Sequence, residues 1–339
     1  MWIKTSMIAL SIGLLAGCAS SDTSSDFDSS LYAGKPVESL TSAEPPKSEE
    51  EALARGDMAL ANNDIDLALY EYLRSLSFSN AKHKDKTLYT VGKIHQSKPD
   101  LALAERAFQA SLQENPDNVG ALEELGALYS RSGRVDEGMS YFIKAINADL
   151  IRLKQQPSLT KESLTMESIA ELKYDSSSPD GAYNGLGVLY DIQGEHDIAQ
   201  SLFVDAIEID NNNLDAIVNL GYSYYMSQNY PKAMVYTKAA LQRDNNNEKA
   251  LNNLALVYLA QNQVRQALNV FSRHLSAPEA LNNIGYFLIL QGKAEEAIPY
   301  LQQAIDKNPT YYEVANENLE RALSMVRQGT SNSTIIIEQ

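Results

Sequence analysis

Cysteine is nearly absent from this sequence: Cys18 is the only one among 339 residues. A single cysteine excludes an intramolecular disulfide and any zinc site that needs two or more thiolates. Histidine is also scarce, and its four copies lack ligand-like spacing: His83, His95, His196 and His274. The sequence has no Gly-x-Ser-x-Gly run and no glycine-rich phosphate loop. We therefore expect no metal, no other cofactor and no catalytic site, so the protein should not be an enzyme.

Positive charge is in short supply as well. The chain has 28 Lys and Arg residues against 44 Asp and Glu, which gives a formal net charge of −16. This balance argues against nucleic acid as a partner, because phosphate binding needs a surplus of Lys and Arg. Apolar residues make up 44% of the chain, enough for a sizeable core. The composition indicates an acidic body that binds other proteins.

Long apolar runs are missing except at residues 7–16, MIALSIGLLA. This run is too short for a transmembrane helix, which needs roughly 20 apolar residues. It ends in LAGC, residues 15–18, which resembles the lipobox of bacterial lipoproteins. The resemblance implies that residues 1–17 are a cleaved signal peptide and that Cys18 carries lipid. Because Ala19 follows the cysteine, it also implies the outer membrane, on its periplasmic face. The alternative is an ordinary signal peptide with a cysteine there by chance.

The segment that follows the lipobox has the composition of a tether. Residues 18–48 are rich in Ser, Asp, Thr and Pro and have no helical periodicity. Such a segment buries too little apolar surface to offset the entropy of ordering. We expect a disordered tether after the lipidated Cys18, which lets the folded body stand away from the membrane.

The rest of the chain is built from a recurring pattern of small and large residues. An apolar residue precedes a small one, here called the reference residue of its repeat; only the first repeat departs, with Arg55 at the apolar position. A second small residue comes 12 positions later, and usually an aromatic residue four positions after that. The reference residues are Gly56, Gly92, Gly126, Gly187, Gly221, Ala255 and Gly285.

This pattern resembles the tetratricopeptide repeat, a helix–turn–helix unit of 34 residues. The resemblance implies an all-α fold: a right-handed superhelical solenoid of helix pairs with a C-terminal capping helix. Repeats one to three occupy residues 49–152, and repeats four to seven occupy residues 180–311. The predicted repeats are 49–82, 85–118, 119–152, 180–213, 214–247, 248–277 and 278–311.

Three segments lie outside the predicted repeats. Residues 312–327 should form the capping helix, with Gly329 as a stop signal, and residues 328–339 a disordered tail. Residues 153–179 are an insertion of 27 residues with mild helical periodicity over residues 158–174. The insertion either extends one helix pair or packs along the array. One interpretation is a surface insertion without a function. The other is a functional element, which either contacts a specific partner or divides the array into two sub-arrays.

Two Asp-Asn-Asn-Asn runs, residues 210–213 and 244–247, resemble fragments of a calcium loop. They lack the glycine and the glutamate that complete such a loop. Both runs fall between repeats, where Asp and Asn side chains bind nearby backbone groups. We predict turns at both places.

The concave face of the array is the predicted binding site. The resemblance places the second and third residues before each reference residue on this face. Asparagine fills most of these positions in repeats four to seven: Asn184, Asn219, Asn252, Asn253, Asn282 and Asn283. An amide both donates and accepts, so such a row suits the backbone of an extended peptide, and Tyr222, Tyr225 and Tyr286 would add aromatic anchors. The alternative is that these amides bridge neighbouring helices.

Residues 252–263 (NNLALVYLAQNQ) and 282–305, with the lipobox and the acidic array, resemble the TadD family of lipoproteins. That family serves tight-adherence (Flp) pilus assembly. The resemblance implies a scaffold whose partners are the secretin or other pilus-assembly proteins, with a lipid anchor in the membrane. No nucleic acid and no small-molecule substrate is expected. The alternatives are a pilotin-like lipoprotein of a type IV pilus secretin, and an adaptor for peptidoglycan hydrolases or periplasmic proteases.

Overall fold

A computed structural model of the chain describes residues 29–36, 39–40, 44–157, 159–308 and 310–337. Over these residues the chain forms one turn of 3-10 helix, Ser29–Leu31, and sixteen α-helices, with no strand. The α-helices are α1 (Glu49–Ala61), α2 (Ile65–Ser75), α3 (Lys84–Ser97), α4 (Leu101–Glu114), α5 (Val119–Arg131), α6 (Val135–Arg152), α7 (Met166–Ala170), α8 (Asp180–Ile192), α9 (His196–Ile209), α10 (Leu214–Met226), α11 (Tyr230–Arg243), α12 (Glu248–Ala260), α13 (Val264–Phe271), α14 (Ala277–Leu290), α15 (Ala294–Lys307) and α16 (Glu313–Ile337). No helix of the described residues combines the length and the apolar character needed to cross a bilayer. The predicted signal peptide and Cys18 lie outside the described residues.

Each of the seven predicted repeats contains one pair of helices, from α1 with α2 to α14 with α15. The two helices of a pair pack together, and from repeat three onward each first helix also contacts the first helix of the next repeat. The sixth repeat is short, as predicted, because α13 has only 8 residues. The predicted all-α solenoid of helix pairs is confirmed.

The two Asp-Asn runs are turns, as predicted. Asp210 Oδ1 accepts a hydrogen bond from the backbone N–H of Asn212 at 2.9 Å, and Asp244 does the same for Asn246 at 3.0 Å. The last asparagine of the first run, Asn213, then caps α10 by accepting from the backbone N–H of Ala216 at 2.8 Å. The two aspartates thus hold their turns, and Asn213 satisfies a helix N–H group that would otherwise lack a partner.

Second helices place large side chains against the reference residues of their own repeats. Phe142 and Phe203 are buried. A Cβ atom on Gly126 would lie 2.5 Å from Phe142 Cδ1, and one on Gly187 would lie 2.7 Å from Phe203 Cε1. Both distances are inside van der Waals contact, so glycine is needed for the ring and the helix to approach this closely. The small–large pattern of the sequence therefore encodes the packing of each pair.

The last helix, α16, covers the final pair but is longer than predicted. Ala322, Leu319 and Val326 pack into the apolar cluster of the last repeats. The helix then continues to Ile337, so the predicted end at residue 327 and the disordered tail over residues 328–339 are wrong up to that residue. Gly329 does not stop the helix, because one glycine within a helix costs only about 1 kcal/mol relative to alanine.

Part of the predicted disordered tether is ordered. Ser29–Leu31 forms a turn of 3-10 helix, and the Leu31 side chain is buried in the apolar cluster of the first two repeats. The prediction of disorder over residues 18–48 is therefore wrong for residues 29–36. Although the segment is mostly polar, it contains one apolar residue, Leu31, that packs on the apolar surface of the array.

The insertion packs along the array instead of extending a helix pair. Leu159, Leu164 and Ile169 are buried in the central apolar cluster. The predicted helical stretch over residues 158–174 is limited to the single short helix Met166–Ala170. The backbone of Leu159 is held at both ends by one side chain: Asn147 Oδ1 accepts from its N–H at 3.0 Å, and Asn147 Nδ2 donates to its carbonyl at 2.7 Å.

An arginine closes the far end of the insertion. Arg152 donates to both carboxylate oxygens of Asp175, at 2.7 and 2.9 Å, and to Asp149 Oδ1 at 2.6 Å. Ser178 Oγ donates to the other oxygen of Asp149 at 2.6 Å. Asp149 is buried, and it needs these donors because an unpaired buried charge is costly. Polar contacts at one end and apolar ones at the other therefore bind the insertion to repeats three and four.

Tyr174, at the end of the insertion, meets two acidic residues of α9. Its hydroxyl donates to Glu208 Oε2 at 2.5 Å and lies 3.5 Å from Asp205 Oδ1. The other oxygen of Asp205 is buried without a hydrogen-bond partner. Burial raises the pKa of Asp205 to about 7, with the negative charge of Glu208 contributing to this rise. Asp205 is thus a buried carboxyl beneath the insertion with one oxygen that lacks a hydrogen-bond partner.

Asp205→Asn should stabilise the protein at high pH. Because the folded pKa lies above the unfolded one, the native state binds the extra proton, and stability falls as pH rises from about 4 to about 7. We expect a gain of about 1 kcal/mol at pH 8, the scale of one unsatisfied buried polar atom, shrinking as pH is lowered. Urea unfolding at pH 8 and pH 5.5 measures this. The same change at the exposed Asp117 is the control; an equal gain at both pH values would contradict the assignment.

Candidate protein-binding groove

The predicted row of asparagines mostly joins neighbouring helices. Asn253 is only 6% exposed, and its Nδ2 donates to the carbonyl of Val218, on the preceding first helix, at 3.1 Å. Asn282 is also buried, and its Oδ1 accepts from Asn318 Nδ2 of the capping helix at 2.9 Å. The predicted exposure of Asn253 and Asn282 is therefore wrong. Buried amides persist where they find partners, and adjacent helices supply those partners here.

The other asparagines keep part of their surface open. Asn219 Nδ2 donates to Asn184 Oδ1 at 2.9 Å, and both side chains are half-buried. Asn252 is exposed and lies 3.1 Å from the imidazole Nε2 of His274. Asn283 is half-buried. These four remain candidates for contact with a partner, although three of them already use one amide atom within the array.

The predicted aromatic anchors line the same face. Tyr222 is exposed, whereas Tyr225 and Tyr286 are half-buried. The ring centroids of Tyr222 and Tyr225 are 6.1 Å apart, and Tyr230 continues the chain of rings at the same spacing. Burial raises the pKa of Tyr222 and of Tyr225, and the nearby charge of Asp191 adds to the first. At neutral pH these phenols are therefore protonated and can donate hydrogen bonds.

A row of exposed apolar side chains lies next to these rings. Five positions after the reference residue, Ile192 is 75% exposed, Met226 44% and Leu290 53%. Because the first helices α8, α10, α12 and α14 contact one another in sequence, equivalent positions line up across the array, and the half-buried Ala260 of α12 lies between Met226 and Leu290 in this row. We call these three residues the apolar stripe. Isolated exposed hydrophobic residues are ordinary, but a row of them at one register position is a candidate interaction surface.

Sequence reasoning missed the stripe, although the signal was present. Repeats two and three have Ser97 and Arg131 at this position, whereas repeats four to seven have only apolar residues there. A large apolar residue in the last turn of a helix is indistinguishable from a core residue by periodicity alone. Comparing one register position across the repeats would have revealed it.

The groove is charged at its other end. Lys93 and Gln96, on α3, both donate to the Glu124 carboxylate. The distance from Gln96 Nε2 to Glu124 Oε2 is 2.8 Å. Next to it, burial raises the pKa of Glu123 to about 7, with the charge of Asp180 contributing to this rise. A hydrogen bond from the backbone of Ala182, in the first turn of α8, partly offsets this rise. Repeats two and three thus present paired polar groups, and repeats four to seven an apolar surface.

No group of three or more His, Cys, Asp or Glu side chains is arranged to hold a metal ion within the part of the chain that the structure describes.

Comparison with known families decides what this array is. Three models described as "Tetratricopeptide repeat" match residues 92–149, 180–213, 224–278 and 252–312. Together they cover more than half of the chain. The chain belongs to the tetratricopeptide repeat family.

Two curated relatives share the repeats of this tetratricopeptide repeat protein. The Tetratricopeptide repeat protein 8 of Caenorhabditis elegans is 33% identical over 87 residues, covering 26% of this chain and 17% of the relative. The Peroxisomal targeting signal receptor of Komagataella phaffii is 25% identical over 202 residues, covering 54% of this chain and 34% of the receptor. The chain therefore spans about a third or less of the length of these relatives.

Solved structures share the fold at low sequence identity. A tetratricopeptide repeat protein from Parabacteroides merdae superposes with a TM-score of 0.52 at 16% identity, covering 82% of this chain and all of the other. PilW, described as a widely conserved type IV pilus biogenesis factor, superposes with a TM-score of 0.51 at 16% identity, covering 68% of this chain and 93% of PilW. At these identities the likeness shows the fold alone.

The buried asparagine leads to a prediction about stability. Asn253→Ala removes the donor to the Val218 carbonyl and leaves a gap between α10 and α12. We expect a loss of about 1–3 kcal/mol in the free energy of unfolding, because a buried hydrogen bond between α10 and α12 is lost together with the packing of the amide. Chemical denaturation followed by circular dichroism measures the loss. Asn252→Ala, at the exposed neighbouring position, should change stability by no more than about 0.5 kcal/mol; an equal loss at both positions would contradict the bridging role.

Proposed function

We propose that this protein is a lipid-anchored scaffold on the periplasmic face of the outer membrane. It assists the assembly or localisation of a pilus secretion complex, and its partner is the secretin or another pilus-assembly protein. In this proposal Cys18 carries the lipid, and the concave face of repeats four to seven holds the partner. The protein itself makes and breaks no bond.

The apolar stripe is the observation that carries the binding part of this proposal. Ile192, Met226 and Leu290 expose apolar surface in equivalent positions, beside Tyr222. Aromatic and aliphatic side chains of this kind supply most of the free energy of protein–protein contacts when they are desolvated. The lipobox at residues 15–18 supports the anchor, because two or three acyl chains hold a protein at a membrane far more stably than one.

The client system is either a tight-adherence pilus or a type IV pilus. The resemblance of the lipobox, the acidic array and residues 252–263 and 282–305 to the TadD family supports the first. The shared fold of PilW, a type IV pilus biogenesis factor by its description, favours a pilotin-like role as the second candidate. Both candidates place a secretin in the groove, so one experiment tests what they have in common.

A deletion strain complemented with variants tests the proposal. Loss of surface pili and of heat-resistant secretin multimers on deletion, restored by the wild type, is the expected result. Cys18→Ser should fail to restore localisation of the protein to the outer membrane, and a stripe variant should localise there but fail to restore multimers. The two variants therefore separate the anchor from the groove.

Intact pili and multimers in the deletion strain would overturn the proposed client. An altered cell shape or wall turnover in that strain would instead indicate an adaptor for peptidoglycan hydrolases or periplasmic proteases. Pull-down of the lipid-anchored protein with and without the stripe substitutions then identifies the client in either case, since the groove is tested independently of the phenotype.

A further inference from the structure

One residue of the second repeat departs from the repeat pattern. Three positions after the reference residue, repeats three to seven have Tyr or Leu, whereas repeat two has His95. The His95 side chain is completely buried, and its Nε2 lies 2.8 Å from the backbone carbonyl of Leu31, 64 positions earlier in the chain. A carbonyl can only accept, so Nε2 carries the proton and donates. The histidine thus replaces a packing residue with one that recognises backbone.

Two further contacts hold the same segment. The Leu31 side chain is buried in the apolar cluster formed by α1, α2, α3 and α4. Lys98 Nζ donates to the carbonyl of Ala33 at 3.0 Å and also to Asp66 Oδ1 at 3.0 Å. Residues 29–36 are therefore bound by one apolar anchor and by donors to two backbone carbonyls, those of Leu31 and Ala33.

The segment is also shaped to fit this site. The Tyr32 hydroxyl donates to the carbonyl of Lys35 at 2.6 Å, which folds the segment back on itself. A Cβ atom on Gly34 would lie 2.7 Å from the Tyr32 hydroxyl oxygen, so the turn needs glycine at that position. The Lys35 ammonium faces Asp66 at 3.9 Å. The segment therefore has a turn of its own, and its lysine faces an aspartate of the surface that receives it.

We propose that the first two repeats contain a peptide-docking site for the chain's own residues 29–36, and that this docking sets how far the array can stand from its attachment point. The second part rests on the proposed lipid anchor at Cys18. A chain rises at most about 3.6 Å per residue, so Ser29 lies within about 40 Å of Cys18 in any conformation of the residues between them. Without docking, the same bound for Glu49 is about 110 Å. Docking holds repeats one and two close to the membrane and leaves the apolar stripe at the distal end of the array.

His95→Leu is the variant that tests the docking. It gives repeat two a residue type that repeat seven has at the same position, Leu288, so the helix pair should still pack. It removes the donor to the Leu31 carbonyl. We measure the rate of chymotrypsin cleavage after Tyr32 in the purified full chain, by mass spectrometry, because cleavage tracks the population of the undocked segment. The rate should rise at least tenfold.

Two other variants complete the test. Leu31→Asp changes nothing within the repeats and should also raise the cleavage rate at least tenfold, with the thermal transition of the array unchanged. His83→Leu, the same substitution at the exposed position just before α3, where the side chain makes no capping hydrogen bond, should leave the rate unchanged. Equal cleavage rates in the wild type, His95→Leu and Leu31→Asp would overturn the docking site. The assay needs neither lipid nor partner. A negative result in it would therefore leave the proposed scaffold function standing, and loss of the scaffold proposal would leave the docking site standing.

Discussion

Replacing Ile192, Met226 and Leu290 together with arginine is expected to weaken partner binding at least a thousandfold. Each side chain, once desolvated in an interface, contributes on the order of 1–2 kcal/mol, and about 4 kcal/mol corresponds to a thousandfold in affinity. Introducing charge adds a desolvation penalty to the loss of contact. We expect the variant to be recovered without the client in pull-downs and to show no binding by titration calorimetry.

The fold should tolerate the three arginines. All three positions are exposed, and surface substitutions usually change stability by no more than about 0.5 kcal/mol. Arginine also suits the last turn of a helix, where it interacts favourably with the helix dipole. Repeat three already has Arg131 at this register position. A loss of binding in the variant would therefore report on the surface and not on unfolding.

Val235→Arg is the matched control for the stripe. Val235 is 62% exposed, lies on the second helix of repeat five, and is not part of the stripe. It should bind the client as the wild type does. If Val235→Arg weakened binding as much as the triple variant, the effect would come from net charge. If the triple variant bound normally, the groove of repeats four to seven would not be the binding site.

Gly185→Asn is expected to destabilise the protein by about 3 kcal/mol, although asparagine stands at this register position in the next three repeats. The ring of Phe142, from repeat three, occupies the space into which a Cβ atom on Gly185 would extend. The ring is already fixed on its other side by Gly126 and cannot withdraw. Asparagine gains only a few tenths of a kcal/mol over glycine in helix propensity, so the steric clash decides the result.

The same ring explains why repeats three and four form a continuous array despite the insertion. Phe142 contacts both Gly126, in its own repeat, and Gly185, in the next one. We expect urea unfolding of Gly185→Asn to show a lower midpoint, with early loss of the interface between α6 and α8. The insertion, which is bound to both repeats, should become more accessible to proteases in the same variant.

Gly133→Asn is the control for Gly185→Asn. Gly133 has a φ of +79° and nothing within 4 Å of the position a Cβ atom would take. Asparagine tolerates this left-handed conformation better than most residues do, so the cost should be below about 1 kcal/mol. Equal destabilisation at the two positions would show that loss of glycine flexibility, and not the Phe142 ring, sets the cost.

Much of the fold could be predicted from the sequence because the repeat encodes it locally. The positions of small and large residues, such as Gly126 with Phe142, determine which helix faces approach each other. The turns at Asp210 and Asp244 follow from side chains that bind backbone within three residues. The position of the capping helix was predicted correctly, but its end was not. The prediction took Gly329 as a stop signal, whereas one glycine is too weak a signal to end a helix.

The candidate site was harder to predict. The sequence indicated which helix faces the groove and which tyrosines lie there, but it did not distinguish a buried amide from an exposed one. Asn252 and Asn253 are adjacent in the chain, yet the first is exposed and the second reaches the carbonyl of Val218. Whether an amide binds a partner or a neighbouring helix depends on the helix beside it, which sequence periodicity does not describe.

The sequence by itself determined the repeats, the helix pairs and the acidic, cysteine-poor character of the chain, because these depend on residues within about one repeat of each other. Only the tertiary structure decided the rest. The docking of Leu31 on His95, the ring of Phe142 against Gly185 and the alignment of Ile192, Met226 and Leu290 join residues from different repeats or from outside them. Such contacts depend on how the helices stack, and each requires a shape complementarity that no local spacing specifies.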